Sequence, residues 1–169
     1  MNCPSCGAPM RPHGDALQCD YCRNVVVPDK SPDGVRLLAE SPNQACPVCA
    51  IPLMHATLDQ TGILACAKCR GIAVPMQAFE PLIDSARTRP TTAVPAAAEP
   101  ADLDRRIPCP TCHRTMDAHF YAVGPGNVVI DSCEQCLLIW LDFNELPRIA
   151  HALDTLAAST LFDPTPTYF

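Results

Sequence analysis

A chain of 169 residues with 19 prolines, 12 cysteines, only 7 glycines and 5% aromatic residues lacks the composition of one large apolar core. Its formal charge of -6 at pH 7 argues against a partner held through phosphates, which calls for a basic face. The opening MNCPSCGAPMRPHG has no apolar centre of a secretory signal, and no run approaches the roughly 18 apolar residues of a membrane span, so a soluble, cytoplasmic chain with no membrane partner is expected.

In a reducing compartment, cysteines at this density are expected to be metal ligands and not disulfides. Taken in chain order, Cys3-x2-Cys6 is answered after 12 residues by Cys19-x2-Cys22. Cys46-x2-Cys49 is answered after 16 by Cys66-x2-Cys69, and Cys109-x2-Cys112 after 20 by Cys133-x2-Cys136, which uses every cysteine. Two residues between thiolates let a tight turn aim both sulfurs at one metal, and a second such turn completes a tetrahedron. Three Zn2+ per chain are therefore expected, one for each set of four.

The repeat extends past the ligands. CPSCGAPM, CPVCAIPL and CPTCHRTM each carry proline after the first cysteine, with Met10, Leu53 or Met116 four residues past the second. CDYCRNVVVP, CAKCRGIAVP and CEQCLLIWLD place Val25 and Val27, Ile72 and Val74, and Ile139 and Leu141 two apart, each pair on one face of a strand.

This divides the chain into a first metal-stabilised β-hairpin module at residues 1–30 and a linker at 31–44 with a strand expected over Val35 to Ala39. A second module follows at 45–87. Phe79, Leu82 and Ile83 predict a short helix over about 76–87 at its end. TRPTTAVPAAAEPA, in a Pro/Ala-rich linker at 88–104, is expected to leave the flanking modules loosely placed and energetically decoupled. The third module, 105–162, ends in a helix suggested by Leu146, Ile149, Leu153 and Leu156, with Asp142 and Glu145 resembling a capping box and Pro147 restricting where the helix begins. Residues 163–169 form a tail. Each helix is expected on its own module.

CEQCLLIWLDFNEL, with Cys133, Cys136, Trp140, Leu141, Asp142, Glu145 and Leu146, resembles the transcription-factor-IIB-type zinc ribbon, whose pattern runs Cys-Pro-x-Cys, a hairpin, Cys-x-x-Cys-Gly-Gly-x-Trp-Leu-Asp and a Glu-Leu pair. Leu137 and Leu138 stand where that pattern has glycines; the second module keeps only Gly71 of the pair and has Ala73, Val74 and Pro75 for Trp-Leu-Asp. The first module is a generic short ribbon. The resemblance implies zinc and contacts with proteins or nucleic acids.

Redox catalysis by the Cys-x-x-Cys pairs requires a strand-helix-strand setting that is missing here. Iron in the same thiolates, with rubredoxin-like electron transfer, is an alternative. His13, His55, His113, His119 and His151 are expected at the surface or in turns, since sets of four thiolates leave no open position for water, and no enzyme activity is expected. Arg105 and Arg106 are too small a basic patch for a phosphate track. Twelve thiolates contribute -12 and three Zn2+ +6, taking the formal charge from -6 to -12, and the chain has two lysines, Lys30 and Lys68. The favoured reading is a protein-interaction adaptor with a protein partner; nucleic-acid binding is the alternative. In LLIWL, Leu137 and Leu138 must accept strain or adopt another turn. Either the stretch is core beneath Leu153 and Leu156, or Leu137, Leu138 and Trp140 stay partly exposed as a contact surface.

Overall fold

The computed structural model describes the backbone of residues 1–89, 103–121 and 128–160, and the side chains of these except 153–160. The described chain is mostly β, with two short helices. In the first unit, β1 (Met10–His13), β2 (Ala16–Cys19) and β3 (Val25–Val26) form a three-stranded antiparallel sheet in the order β1-β2-β3. The hairpin is closed through Gly14, whose φ of 57° suits a residue without a Cβ. The small core of this unit is Cys3, Met10, Leu17 and Cys19, and it is completed from outside by Leu38.

Leu38 lies on β4 (Arg36–Ala45). Where a short strand over Val35 to Ala39 was expected within a linker, a ten-residue strand runs beside β5 (Pro52–Leu58), with register shifts between Leu37 and Ala39 and between Ser41 and Ala45. The first irregularity leaves Leu38 out of register, and the second absorbs Pro42, Asn43 and Gln44, which made the segment read as linker. β4 therefore has two partners: it extends the next sheet, and through Leu38 it seals the first core.

The second unit continues with β6 (Thr61–Ala65), β7 (Ile72–Pro75) and helix α1 (Met76–Arg87), which matches the helix read from sequence. The third contains β8 (Asp117–Tyr121), β9 (Val128–Cys133), β10 (Leu138–Leu141) and helix α2 (Glu145–Thr160). The two units do not form separate sheets. A seven-stranded sheet runs β4-β5-β6-β7-β10-β9-β8, and its centre is the antiparallel pair β7 and β10. The expectation of decoupled second and third modules is overturned. The Pro/Ala-rich segment, whose residues 90–102 lie outside the described residues, joins two units that share backbone hydrogen bonds.

The β7–β10 junction is pseudo-symmetric. Cys133 and Cys136 follow Cys66 and Cys69 by 67 residues each, and the same offset carries Ala73 onto Trp140. In the register Ala73 faces Trp140, Ile72 faces Leu141 and Val74 faces Ile139, so equivalent positions meet about a local two-fold axis.

Strand alternation gives the sheet two different faces. Ile72, Val74, Ile139 and Leu141 point to one face and join Phe79, Leu82 and Ile83 of α1 and Leu146 and Ile149 of α2 in one core. The helices touch each other as well, and Phe79 of α1 meets the ring of Tyr121 on β8 edge-on at 4.9 Å. Each helix was expected on its own module; instead they cover a common sheet. α2 starts as anticipated: Glu145 Oε2 accepts from the Asp142 amide at 2.7 Å, and the Arg148 amide donates to Asn144 O at 3.2 Å. Pro147 thus lies in the first turn, where no intrahelical amide is required. Leu153 and Leu156 lie outside the described side chains.

Candidate metal centres

The opposite face of the sheet holds Leu53, Leu64, Ala73, Ile107, Met116 and Trp140 together with cysteines of the second and third units. Trp140 is fully buried, 0% exposed, and its ring lies over Gly71; a Cβ built at Gly71 would stand 2.4 Å from Trp140 Cζ2. Indole Nε1 donates to Asp142 Oδ1 at 2.9 Å, which satisfies its one polar atom. Burial of such a ring removes about 150–250 Å² from water, worth roughly 4–6 kcal/mol. Of the two readings of LLIWL, a contact surface through Trp140 is overturned: the tryptophan is core, covered by the second unit. Leu138 is half-buried and only Leu137 stands out, at 63% exposure.

All twelve cysteines fall into the three sets read from spacing. The Sγ atoms of Cys3, Cys6, Cys19 and Cys22 lie within 4.8 Å of one another, as do those of Cys46, Cys49, Cys66 and Cys69 and those of Cys109, Cys112, Cys133 and Cys136. Across the two turns, Cys3 to Cys22 and Cys6 to Cys19 are 3.5 Å apart, and Cys46 to Cys69 and Cys112 to Cys133 are 3.6 Å. A disulfide needs about 2.05 Å. A tetrahedron with metal–sulfur bonds of about 2.3 Å has edges of about 3.8 Å, which these distances approach. The donor sets fit a tetrahedral ion that prefers sulfur. With four protein ligands each, such sites are closed.

Five of the six Cys-x-x-Cys turns are built the same way. The amide of the residue after the second cysteine donates to the carbonyl of the first at 2.8–3.1 Å, seen for Gly7, Arg23, Ala50, Arg70 and His113. The amide of the first cysteine is held in turn by a carbonyl five residues on, from Ala8, Asn24, Ile51, Gly71 or Arg114. The residue after the second cysteine is left-handed in all six turns: Gly7 at φ 76°, Arg23 at 63°, Ala50 at 56°, Arg70 at 63°, His113 at 61° and Leu137 at 52°. A non-glycine residue there costs on the order of 1 kcal/mol, which a metal ion held by the turn would offset. The strain anticipated at Leu137 and Leu138 thus falls on Leu137 alone, while Leu138 is already in β10. Gly71, at the position of Leu138, has no positive φ; it is required by the Trp140 ring. The two glycines of the pattern answer to different needs.

Amides also point at sulfur: Cys49 N to Cys46 Sγ at 3.3 Å, Cys69 N to Cys66 Sγ at 3.5 Å and Thr111 N to Cys109 Sγ at 3.4 Å. Such donors favour thiolate over thiol. Burial opposes ionisation of Cys3, yet the amides of Ser5 and Cys6 and the neighbouring thiols bring it down to about 6. The Arg114 amide brings Cys112 to about 7. The thiols they face move the other way: Cys136, beside Cys112 and Cys109, is pushed up to about 12. A cation is what lets four such groups ionise together.

His13, His55, His113, His119 and His151 are all exposed, and none belongs to a cysteine cluster. Sequence reasoning missed a charged network beside the third centre. Arg105 bridges Asp131 and Asp142, and Asp131 is completely buried on β9. Burial raises Asp131 despite the guanidinium, and burial raises Glu145 to about 7. The dipeptide Arg105-Arg106 read only as a poor phosphate track; what the sequence could not supply was the buried carboxylate that β9 carries to it. Among the described residues, no helix is long and apolar enough to cross a membrane. No protein family, no curated protein and no solved structure matches the chain.

Proposed function

We propose that this is a non-enzymatic zinc protein of three structural ribbons of the transcription-factor-IIB type, acting inside the cell as an adaptor between proteins. The observation that carries the metal-binding reading is the convergence of twelve cysteine sulfurs into three compact sets of four. Zinc is favoured over iron because closed four-thiolate sites in repeated small modules serve folding: the first unit, with a core of Cys3, Met10, Leu17 and Cys19 completed by Leu38, buries too little surface to fold alone, and zinc binding supplies roughly 10–16 kcal/mol of folding energy. With no ligand position left for water, the sites offer nothing to activate a substrate.

An adaptor role is supported by the charge and by what is exposed. A formal charge of -6 before metal and two lysines in the whole chain disfavour a phosphate track. Tyr21, Val48 and Leu137, on three of the cysteine turns, stand exposed as apolar anchors for another protein. Native mass spectrometry of freshly purified reduced protein tests the metal reading: three Zn2+ and no disulfide are expected, while fewer metals or iron, betrayed by visible thiolate absorption, refutes it. Capture of a defined protein from lysate by the zinc-loaded chain, lost on chelation, tests the adaptor; tight salt-sensitive binding of duplex DNA or RNA instead would favour the alternative.

A further inference from the structure

The last strand of the first unit repeats the strand at the centre of the large sheet. Cys22-Arg23-Asn24-Val25-Val26-Val27-Pro28 aligns residue by residue with Cys69-Arg70-Gly71-Ile72-Ala73-Val74-Pro75. Arg23 and Arg70 share a φ of 63°, so both chains leave their cysteine turn in the same way. From there the environments diverge. β7 has β6 on one side and β10 on the other, and the ladder is prolonged by the Met76 amide donating to Leu137 O at 2.8 Å. β3 has only β2, and among the described residues its outer edge has no partner.

Side-chain exposure differs as well, because α1 and α2 cover the face that carries Ile72 and Val74 and, among the described residues, no helix of the first unit covers that of Val25 and Val27. Ile72 and Val74 are buried, whereas the equivalent Val25 and Val27 are 52% and 57% exposed, next to a Tyr21 that is 82% exposed. Natural edge strands are blunted by shortness, a proline, a lysine, a bulge or an inward charge. β3 is short and is followed by Pro28, but Val25 to Val27 carry no charge and no bulge.

We infer that this edge is a self-association surface: β3 pairs antiparallel with β3 of a second copy of the chain, as β7 pairs with β10. The symmetry of the β7–β10 junction supplies the argument for that occupant, because there the fourth residue past the last cysteine meets its own equivalent, Ala73 against Trp140. Applied to two copies of β3, the same register sets Val26 opposite Val26 and Val25 opposite Val27. A two-fold interface must be complementary to itself. β10 fails that requirement, since a second β10 would bring Leu138 where Trp140 tolerates no Cβ at all. β7 fails it in the other sense, because alanine opposite alanine leaves a gap. Valine at position 26 is intermediate in size, and Asn24 in the place of Gly71 meets no indole.

The strands are short, so the contact falls below the roughly 1,200 Å² of a standard interface and a weak, concentration-dependent dimer is expected. It requires a folded, metal-loaded first unit, but it goes beyond the adaptor reading, and metal stoichiometry measured on the same sample separates failure of one from failure of the other.

Sedimentation velocity of the zinc-loaded full chain from about 1 µM to about 500 µM tests it, with the Val25→Lys/Val27→Lys variant in parallel. Both substituted side chains are exposed, and the pairing places each lysine against a lysine of the other copy. A concentration-dependent dimer in the parent and a monomer in the variant, at equal metal content, is the expected result. A parent that stays monomeric throughout, or a variant that dimerises as well, overturns the inference. Should the variant lose metal, amide exchange of the parent decides alone: protection at residues 25 to 27 must rise with concentration, and unchanged exchange overturns the inference.

Discussion

Gly71→Ala adds one methyl group and should break the tightest contact between the second and third units. The new Cβ would stand 2.4 Å from Trp140 Cζ2, 3.0 Å from Cε2 and 3.1 Å from Cη2. Carbon atoms pack at about 3.5–4.0 Å, so the ring or the strand must retreat by about 1 Å. The ring cannot turn away easily, being fully buried and tied by Nε1 to Asp142. Overpacking of this kind costs about 1–3 kcal/mol, while the stiffer unfolded chain returns about 0.4–1 kcal/mol, leaving a net loss of about 1–2 kcal/mol. Trp140 is the only tryptophan in the chain and reports its own environment. Urea titration at fixed zinc, followed by tryptophan emission, should show a red-shifted native spectrum and a midpoint lower by about 0.5–1 M, taking a slope of about 2 kcal/mol per molar. In a Trp140→Leu background, followed by circular dichroism, the Gly71→Ala penalty should disappear. An unchanged or raised midpoint in the single variant, or an equal penalty in both backgrounds, refutes the packing argument.

Cys133→Ser should cost the chain its third metal and, because β9, β10 and β7 are neighbours in one sheet, lower the amide protection of β7 as well, while the first unit keeps its metal; native mass combined with hydrogen exchange reads both effects, and full protection of β7 would contradict the shared sheet. Arg105→Ala leaves Asp131 buried without its cation and should destabilise by about 3 kcal/mol, with Arg105→Met/Asp131→Leu recovering most of the loss in the same urea assay. Glu145 ordinarily ionises near 4.5 but is raised to about 7 in the fold, chiefly by burial. The folded state therefore holds this proton more tightly than the unfolded state, and its contribution to stability falls as pH rises from about 4.5 through about 7. Glu145→Gln should gain on the parent as pH rises from about 4.5 to about 7 and hold that gain above; a urea-midpoint difference that does not change with pH across this range would show that the carboxyl is not titrating there.

The metal sets needed no tertiary information. A Cys-x-x-Cys turn is a local object, set by hydrogen bonds that span four or five residues, and with every cysteine in such a pair and three well-separated clusters of pairs, the tetrads followed from spacing. Local capping at α2 and the apolar spacing of α1 were legible for the same reason: their interactions lie within one turn of the chain. Strand alternation also told which of Ile139 and Trp140 shared a face with Leu141. It did not tell what each face would meet. That depended on two edge strands, 67 residues apart in sequence, finding each other across a proline-rich connection, and no local preference records such a pairing. The clue was present in the size of side chains, glycine and alanine in one copy of the repeat where leucine and tryptophan stand in the other, but it becomes information only once β7 and β10 are side by side. The same holds for Leu38, which reads as a linker residue until β4 carries it into the first core, and for Arg105, whose partner Asp131 is buried by strands the sequence alone does not bring together. Residues bound to near neighbours declare themselves in the sequence; those whose partners arrive by long-range pairing are decided only when the sheet closes.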